Sequence, residues 1–97
     1  MIYMVRFEIQ VQPEDFKSGQ TMGFMNAIVQ AESHDSAVSK LKDYLRRFDW
    51  HVIEIEENRL IEEDFIFDDD EMQDMLERAR PNDQAIILGT FHSYETS

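Results

Sequence analysis

The sequence predicts a small α+β domain, a two-layer sandwich in which a four- to five-stranded, mostly antiparallel sheet carries two helices on one face. Three observations predict it: alternating apolar residues near the N-terminus, two segments with helical apolar spacing, and a nearly continuous apolar run near the C-terminus. The chain has 97 residues, of which 42% are hydrophobic. This length and composition predict one folded domain over residues 1–97.

The first two predicted strands form an antiparallel pair. Apolar residues alternate with polar ones over residues 2–12, which is typical of a half-buried strand. Pro13 ends this strand, and a second one runs from Phe24 to about Ala31. The loop between them, residues 13–23, holds two of the three glycines and is longer than an ordinary hairpin loop. It is either a functional element or a mobile spacer.

A helix and a third strand follow. Ser33 is placed to cap the helix, and apolar residues then recur on one arc up to Phe48, which predicts a helix over residues 34–48. The outer surface of this helix is basic, with Lys40, Lys42, Arg46 and Arg47. Alternation resumes over residues 50–56, which predicts the third strand.

The second half contains the less regular elements. Residues 57–67 are compatible with either a short edge strand or an ordered loop. Asp68, with Glu71 three residues later, is predicted to cap a second helix, which Pro81 ends. The apolar run over residues 85–92 predicts a strand in the middle of a sheet, in which Gly89 marks a bulge or a close backbone approach.

The resulting order is ββαβαβ, and its simplest packing is a ferredoxin-like or related sandwich. In that arrangement the sheet face away from the helices is partly apolar. The residues expected to point to it are Met4, Met25, Ile28 or Val29, His51 or Val52, and some of the last strand. An apolar outer face on so small a domain is usually buried in a second subunit, so we expect a homodimer.

The acidic charge is concentrated in the second half of the chain. The net charge is −12, and residues 54–97 hold fourteen acidic against three basic residues. Such a surface repels nucleic acid and attracts a basic protein partner. The first functional hypothesis is therefore a non-enzymatic protein-binding or regulatory module, whose acidic partner-binding residues are Glu62, Glu63, Asp64, Asp68, Asp69, Asp70, Glu71 and Asp74.

The same carboxylates are a weaker candidate for a divalent cation site. Calcium and magnesium prefer clustered carboxylate oxygens, but the acids lack the alternate spacing and the glycine of an EF-hand loop. We expect no metal site and no cofactor. Weak divalent-ion sensing through these carboxylates is the alternative.

A small enzyme or small-molecule-binding domain is the second functional hypothesis. Its pocket would lie near the sheet and the 13–23 loop, with Trp50, His51, His92 and Tyr94 as possible lining residues. If His51 and His92 share a face, with Glu54 or Tyr94 nearby, they are a candidate acid–base pair. The sequence has neither a Gly-x-Ser-x-Gly elbow nor a glycine-rich phosphate loop, so it identifies no catalytic residue and leaves enzymatic activity open.

The location of the protein is predicted from what the sequence lacks. The chain has no cysteine and no apolar run approaching ~18 residues. The N-terminus does not show the charge and hydropathy pattern of a signal peptide. We therefore expect a cytoplasmic protein without membrane association.

Overall fold

The computed structural model describes residues 1–16 and 19–94. It contains seven elements in these residues: β1 (Ile2–Gln10), β2 (Met22–Gln30), α1 (His34–Arg46), β3 (His51–Ile61), α2 (Asp70–Ala79), β4 (Ile86–Leu88) and β5 (His92–Ser93). The predicted α+β class and the predicted order of the first five elements are confirmed. The predicted last strand is divided into two short ones.

All strands belong to one antiparallel sheet. Its order is β3-β1-β2-β4, and β5 also pairs with β2. β1 and β2 are aligned over their whole length, from Ile2 opposite Gln30 to Gln10 opposite Met22. The pairing of β1 with β3 has two irregularities, between Arg6 and Phe7 and between Glu8 and Ile9. The predicted mostly antiparallel sheet of four to five strands is therefore confirmed.

The two helices pack on opposite faces of this sheet, so the expectation of both helices on one face is wrong. Side chains of β1 such as Val5 and Phe7 share a core with Leu41 and Leu45 of α1. Met4, which points the other way, shares a second core with α2 and with Ile28. The molecule thus has three layers, because the central strands β1 and β2 are apolar on both sides of the pleat.

The same packing removes the argument for a homodimer. A homodimer was expected because an apolar sheet face would be left uncovered by the helices. Met4 and Ile28 do lie on the second face, whereas Met25 and Val29 lie in the α1 core. Met4 and Ile28 are only 6% and 0% exposed, because Met75 and Leu76 of α2 pack against them. The homodimer stays a prediction, without this support.

Both helices begin at side-chain caps. Ser33 caps α1 and forms a reciprocal capping box with Ser36. α2 is capped by Asp69, whose Oδ1 accepts a hydrogen bond from the Met72 N–H at 2.8 Å. The cap predicted at Asp68 is therefore wrong by one residue.

Two ambiguous segments are resolved by their neighbours. Residues 57–61 are not a separate strand, because they continue β3 along β1. The final apolar run is interrupted after Leu88, where the backbone of Gly89 passes close to α2. A Cβ atom at Gly89 would lie 2.9 Å from Oε1 of Glu71, so the expectation of a close approach at this glycine is confirmed.

The long loop closes one end of the α1 core. Phe16 stacks on Phe91, with ring centroids 4.5 Å apart, and packs beside Trp50 at 5.7 Å. The indole N–H of Trp50 donates to Asp15 Oδ2 at 2.6 Å. The described part of this loop is therefore tied to the body of the domain by aromatic packing and a hydrogen bond.

Candidate functional site

The eight acidic residues predicted to bind a partner lie on the segment that leads from β3 into α2. Glu62, Glu63 and Asp64 follow the last residue of β3, and the other five lie around the start of α2. All eight are exposed. We call these eight residues the acidic surface. It comprises Glu62, Glu63, Asp64, Asp68, Asp69, Asp70, Glu71 and Asp74.

Three members of the acidic surface are bonded within the fold. Asp69 caps α2, as described above. Glu71 accepts two hydrogen bonds from Thr90, from its N–H and from its hydroxyl, each at 2.8 Å. Asp74 pairs with Arg78 one helical turn later at 3.0 Å. These three carboxylates have structural roles that are sufficient to explain their presence.

The other five carboxylates make no hydrogen bond or ion pair within residues 1–16 and 19–94. They are Glu62, Glu63, Asp64, Asp68 and Asp70. Two of them also complement the positive end of the α2 dipole, since Asp68 and Asp70 flank the cap. The remaining three are far from that position along the chain. These five are the carboxylates that are available to a partner.

The segment that carries them is held in place from α2. The guanidinium of Arg80 donates to the backbone carbonyls of Glu63 and Phe65, at 3.1 and 2.8 Å. The N–H of Phe67 donates to Oε1 of Gln73 at 2.8 Å. Phe65 and Phe67 pack against the α2 core and against each other, with ring centroids 4.8 Å apart. The acidic surface is therefore presented on an anchored segment, which reduces the conformational entropy lost on binding.

An exposed apolar residue lies inside the acidic surface. Ile66 is 72% exposed, the highest value among the large hydrophobic residues of the described chain. Its neighbours Phe65 and Phe67 are half-buried. A partner that contacts the acidic surface therefore also meets one aliphatic side chain.

The two outer layers carry opposite charge. Residues 62–80 contain nine acidic and two basic side chains, whereas residues 34–47 contain four basic and two acidic ones. α1 and α2 lie on opposite faces of the sheet, so these charges are separated by its thickness. A basic partner is consequently attracted toward the α2 side and not toward the α1 side.

The predicted pocket is divided by the fold. Trp50 packs with Phe16 and Phe48 at the end of the α1 core. His51 lies exposed at the start of β3, where its Nε2 is 3.4 Å from Asp49 Oδ1. His92 is on β5, with β1 and β2 between them, so roughly 14 Å of sheet separates the two histidines. His51 and His92 therefore do not form the acid–base pair that the sequence suggested.

The other two predicted lining residues, His92 and Tyr94, both lie near Phe24. His92 is aligned with Phe24, and the ring of Tyr94 packs on the ring of Phe24 at 5.3 Å. The Tyr94 hydroxyl donates to Oε2 of Glu8 at 2.5 Å, and this bond to a carboxylate raises the pKa of Tyr94 above its ordinary value. A recess of about 270 Å³ lies alongside, lined by Arg6, Phe24, Met25, Asn26 and His92.

The recess exists because α2 is shorter than the strands beneath it. A helix of ten residues is about 15 Å long, whereas a strand of nine residues spans about 30 Å. Arg6 and Asn26 are aligned partners beyond the part that α2 covers. Neither Arg6 nor Asn26 was predicted from the sequence as a site residue. Arg6 could have been recognised from its position, because it lies on the same side of β1 as Met4. The sheet face that these two residues share is apolar at one end and polar at the other.

The described residues hold neither a candidate metal cluster nor a helix suited to a membrane. Between residues 1–16 and 19–94, no group of three histidine, aspartate or glutamate side chains is placed to hold a metal ion. No helix in this part of the chain is long and apolar enough to cross a membrane.

Comparison of the chain with protein-family models, with curated proteins and with solved structures gives no match. A functional interpretation therefore depends on the surface chemistry described above.

Proposed function

We propose that the protein is a non-enzymatic binding module that docks a basic protein through its acidic surface. The observation that carries this proposal is the set of five exposed carboxylates without a partner in the described fold, held on a segment that Arg80 anchors to α2. Carboxylates that neither cap a helix nor form an ion pair still repel one another across the surface. Binding to a cationic protein relieves that repulsion.

Electrostatic docking of this kind has two measurable properties. The association rate rises with charge complementarity, and binding weakens as salt screens the charges, with a Debye length of about 10 Å at 0.1 M ionic strength. Exposed Ile66 supplies a small apolar contact that salt does not weaken. A partner is therefore expected to leave in a salt gradient.

The test compares a neutralised variant with a charge-matched control. The neutralised variant carries Glu62→Gln, Glu63→Gln, Asp64→Asn, Asp68→Asn and Asp70→Asn, which leaves the cap at Asp69 and the bonds of Glu71 intact. The control removes five negative charges elsewhere, through Glu14→Gln, Glu32→Gln, Asp35→Asn, Asp43→Asn and Asp83→Asn. Tagged forms of both variants and of the unmodified protein are used to capture binding proteins from the native host at low ionic strength.

The unmodified protein and the control are expected to retain the same basic protein in stoichiometric amount and to release it at moderate salt. The neutralised variant is expected to retain little of it. Equal retention by the two variants, or elution that does not depend on salt, would show that the acidic surface is not the docking site.

The recess beside Phe24 favours a second candidate function, because the aromatic ring of Phe24 lines the recess together with the polar residues Arg6, Asn26 and His92. In this function the recess binds a small polar ligand. A fragment screen by protein NMR would test it, with His92→Ala and His51→Ala as a pair. Fragments that shift the amide resonances around Phe24, and whose binding is lost in His92→Ala but not in His51→Ala, support ligand binding in the recess. Hits confined to the region of His51 contradict it.

A further inference from the structure

One edge of the sheet is open along a long strand. In the part of the chain that the structure describes, β3 pairs with β1 alone, so the backbone groups on its outer side have no strand beside them. The pairing with β1 is irregular near Glu54 but regular from Glu57, opposite Arg6, to Ile61, opposite Ile2. Residues 57–61 therefore offer a straight, unbulged edge, which is the geometry that an added strand requires.

Apolar surface lies at the end of this edge. Leu60 is 43% exposed. Leu60 also lines a groove of about 640 Å³ at this end of the sheet. Its other lining residues are Met1, Ile2, Gln30, Ile61, Glu62, Glu63 and Arg80. Side-chain pockets next to an open strand edge are what give strand addition its specificity.

Charge decides between the possible occupants of the edge. β3 contains Glu54, Glu56 and Glu57, and Glu62 and Glu63 follow it, whereas Arg59 is its single cation. Two copies of this strand paired edge to edge would bring two stretches of net negative charge together, and this repulsion is destabilising. The exposed pairs Arg6–Glu56 and Arg59–Glu57, both at 3.4 Å, weaken this repulsion only slightly. The charge therefore favours a cationic strand over a second copy of the chain.

We propose that residues 57–61 accept an extended segment of the partner as an additional strand, and that this segment alternates lysine or arginine with aliphatic residues. One aliphatic side chain of the segment occupies the groove beside Leu60, and its cations face Glu62 and Glu63. The proposal rests on the proposed function, since it specifies how the basic partner is held. The acidic surface attracts the partner, and the backbone of β3 fixes its register.

The test uses a defined peptide probe and NMR of the full chain. The probe is an acetylated and amidated peptide of alternating lysine and valine, Lys-Val-Lys-Val-Lys-Val-Lys. Its matched control has the same sequence with N-methyl groups on the central five peptide nitrogens, which keeps the charge but removes the hydrogen-bond donors of both edges. Amide chemical shifts and amide hydrogen exchange of the ¹⁵N-labelled protein are recorded with each peptide.

The unmodified peptide is expected to shift the amides of residues 57–61 and to slow the exchange of those that point outward. The N-methylated peptide is expected to bind at least about tenfold more weakly than the unmodified peptide, because backbone hydrogen bonds supply much of the affinity in strand addition. On the protein side, Glu62→Lys with Glu63→Lys is expected to weaken binding of the unmodified peptide. The charge-matched pair Glu14→Lys with Asp83→Lys is expected to retain it.

The remaining outcomes separate this proposal from the proposed function. Equal binding of both peptides, with shifts confined to residues 62–74, would overturn strand addition while supporting electrostatic docking. Shifts confined to β4, or an absence of binding by either peptide, would overturn strand addition and leave the salt-gradient experiment as the test of docking. Concentration-dependent shifts of residues 57–61 in the free protein would show a second copy on the edge and would also overturn the proposal.

Discussion

The carboxylate of Glu71 accepts two hydrogen bonds from Thr90, through the backbone N–H and the hydroxyl, both at 2.8 Å. Glu71 lies in the first turn of α2, and Thr90 lies between β4 and β5. This contact ties α2 to the connection at which the last strand is interrupted. It therefore helps to hold α2 on the second face of the sheet.

Glu71→Ala is expected to lower the free energy of unfolding by about 1–2 kcal/mol, because two hydrogen bonds to a charged group are lost at a partly solvated site. Chemical denaturation measures this change. Glu77→Ala is the matched control on the same helix, since Glu77 accepts a single long bond of 3.4 Å from Gln73, and it is expected to change stability by less than about 0.5 kcal/mol. Equal effects of the two substitutions would contradict a specific role for the contact with Thr90.

The three-layer arrangement makes a distinct prediction for the second sheet face. Ile28→Ala is expected to destabilise the protein by about 2–5 kcal/mol, as is Leu41→Ala in the α1 core, because both side chains are 0% exposed. Denaturant unfolding of both variants tests this. Ile66→Ala is the control, because this exposed side chain contributes little to the core. A small effect at Ile28 with a large one at Leu41 would show that α2 does not cover that face.

Gly23 is predicted to be necessary for the pairing of β5 with β2. A Cβ atom at this position would collide with the backbone carbonyl of His92 and with Cα of Ser93, and backbone cannot yield as a flexible side chain does. Gly23→Ala is therefore expected to detach β5 and to cost about 1–3 kcal/mol. Amide hydrogen exchange in residues 92–94 would show the loss of β5. Ser93→Ala, at the paired position, is expected to leave the exchange unchanged, and protection that survives Gly23→Ala would contradict the packing described.

Tyr94 is expected to titrate above its ordinary pKa, because its hydroxyl donates to the Glu8 carboxylate and ionisation would place two negative charges side by side. A pKa that is raised by folding favours the protonated form in the folded state. The contribution to stability is therefore fully present below a pH of about 10 and is lost as the pH rises through the folded-state pKa. A ¹³C NMR titration of the tyrosine Cζ resonances resolves Tyr94 from the other tyrosines.

Glu8→Ala is expected to return the pKa of Tyr94 toward its ordinary value. Glu14→Ala, an exposed acid in the long loop, is the control and is expected to leave it raised. A Tyr94 midpoint that is unchanged by Glu8→Ala would show that the hydrogen bond to Glu8 is not its cause.

Local patterns were sufficient to predict most of the elements. The alternation of residues 2–12 predicts β1, and the spacing from Ala37 to Leu45 predicts α1, because both patterns follow directly from the geometry of a strand and a helix. The cap of α2 was misplaced by one residue, since Asp68 and Asp69 both precede a helical pattern and only the observed backbone distinguishes them. Gly89 indicated a close approach in the last apolar run, but the division of that run into β4 and β5 depends on the contact with α2, which the local pattern does not contain.

The candidate site was predicted less completely than the elements. The acidic residues could be identified from composition, and their exposure follows from their charge. Which of them are available to a partner could not be predicted in full, because the bond of Glu71 to Thr90 joins residues that are distant in the sequence. The pair of Asp74 with Arg78 lies within one helix and follows from its spacing of four residues. The separation of His51 from His92 likewise required the strand order, which brings His92 beside Phe24 and places two strands between the histidines.

Alternation, helical spacing and charge are properties of neighbouring residues, so the sequence alone was enough to predict an α+β fold with an acidic second half. The face of the sheet that each helix covers became known only from the packing of the folded chain. Met4 and Ile28 are equally compatible with a covering helix and with a second subunit, since burial of apolar surface is favourable against either one. The helices lie on opposite faces because β1 and β2 are apolar on both, and this placement leaves the edge of β3 open beside the acidic surface.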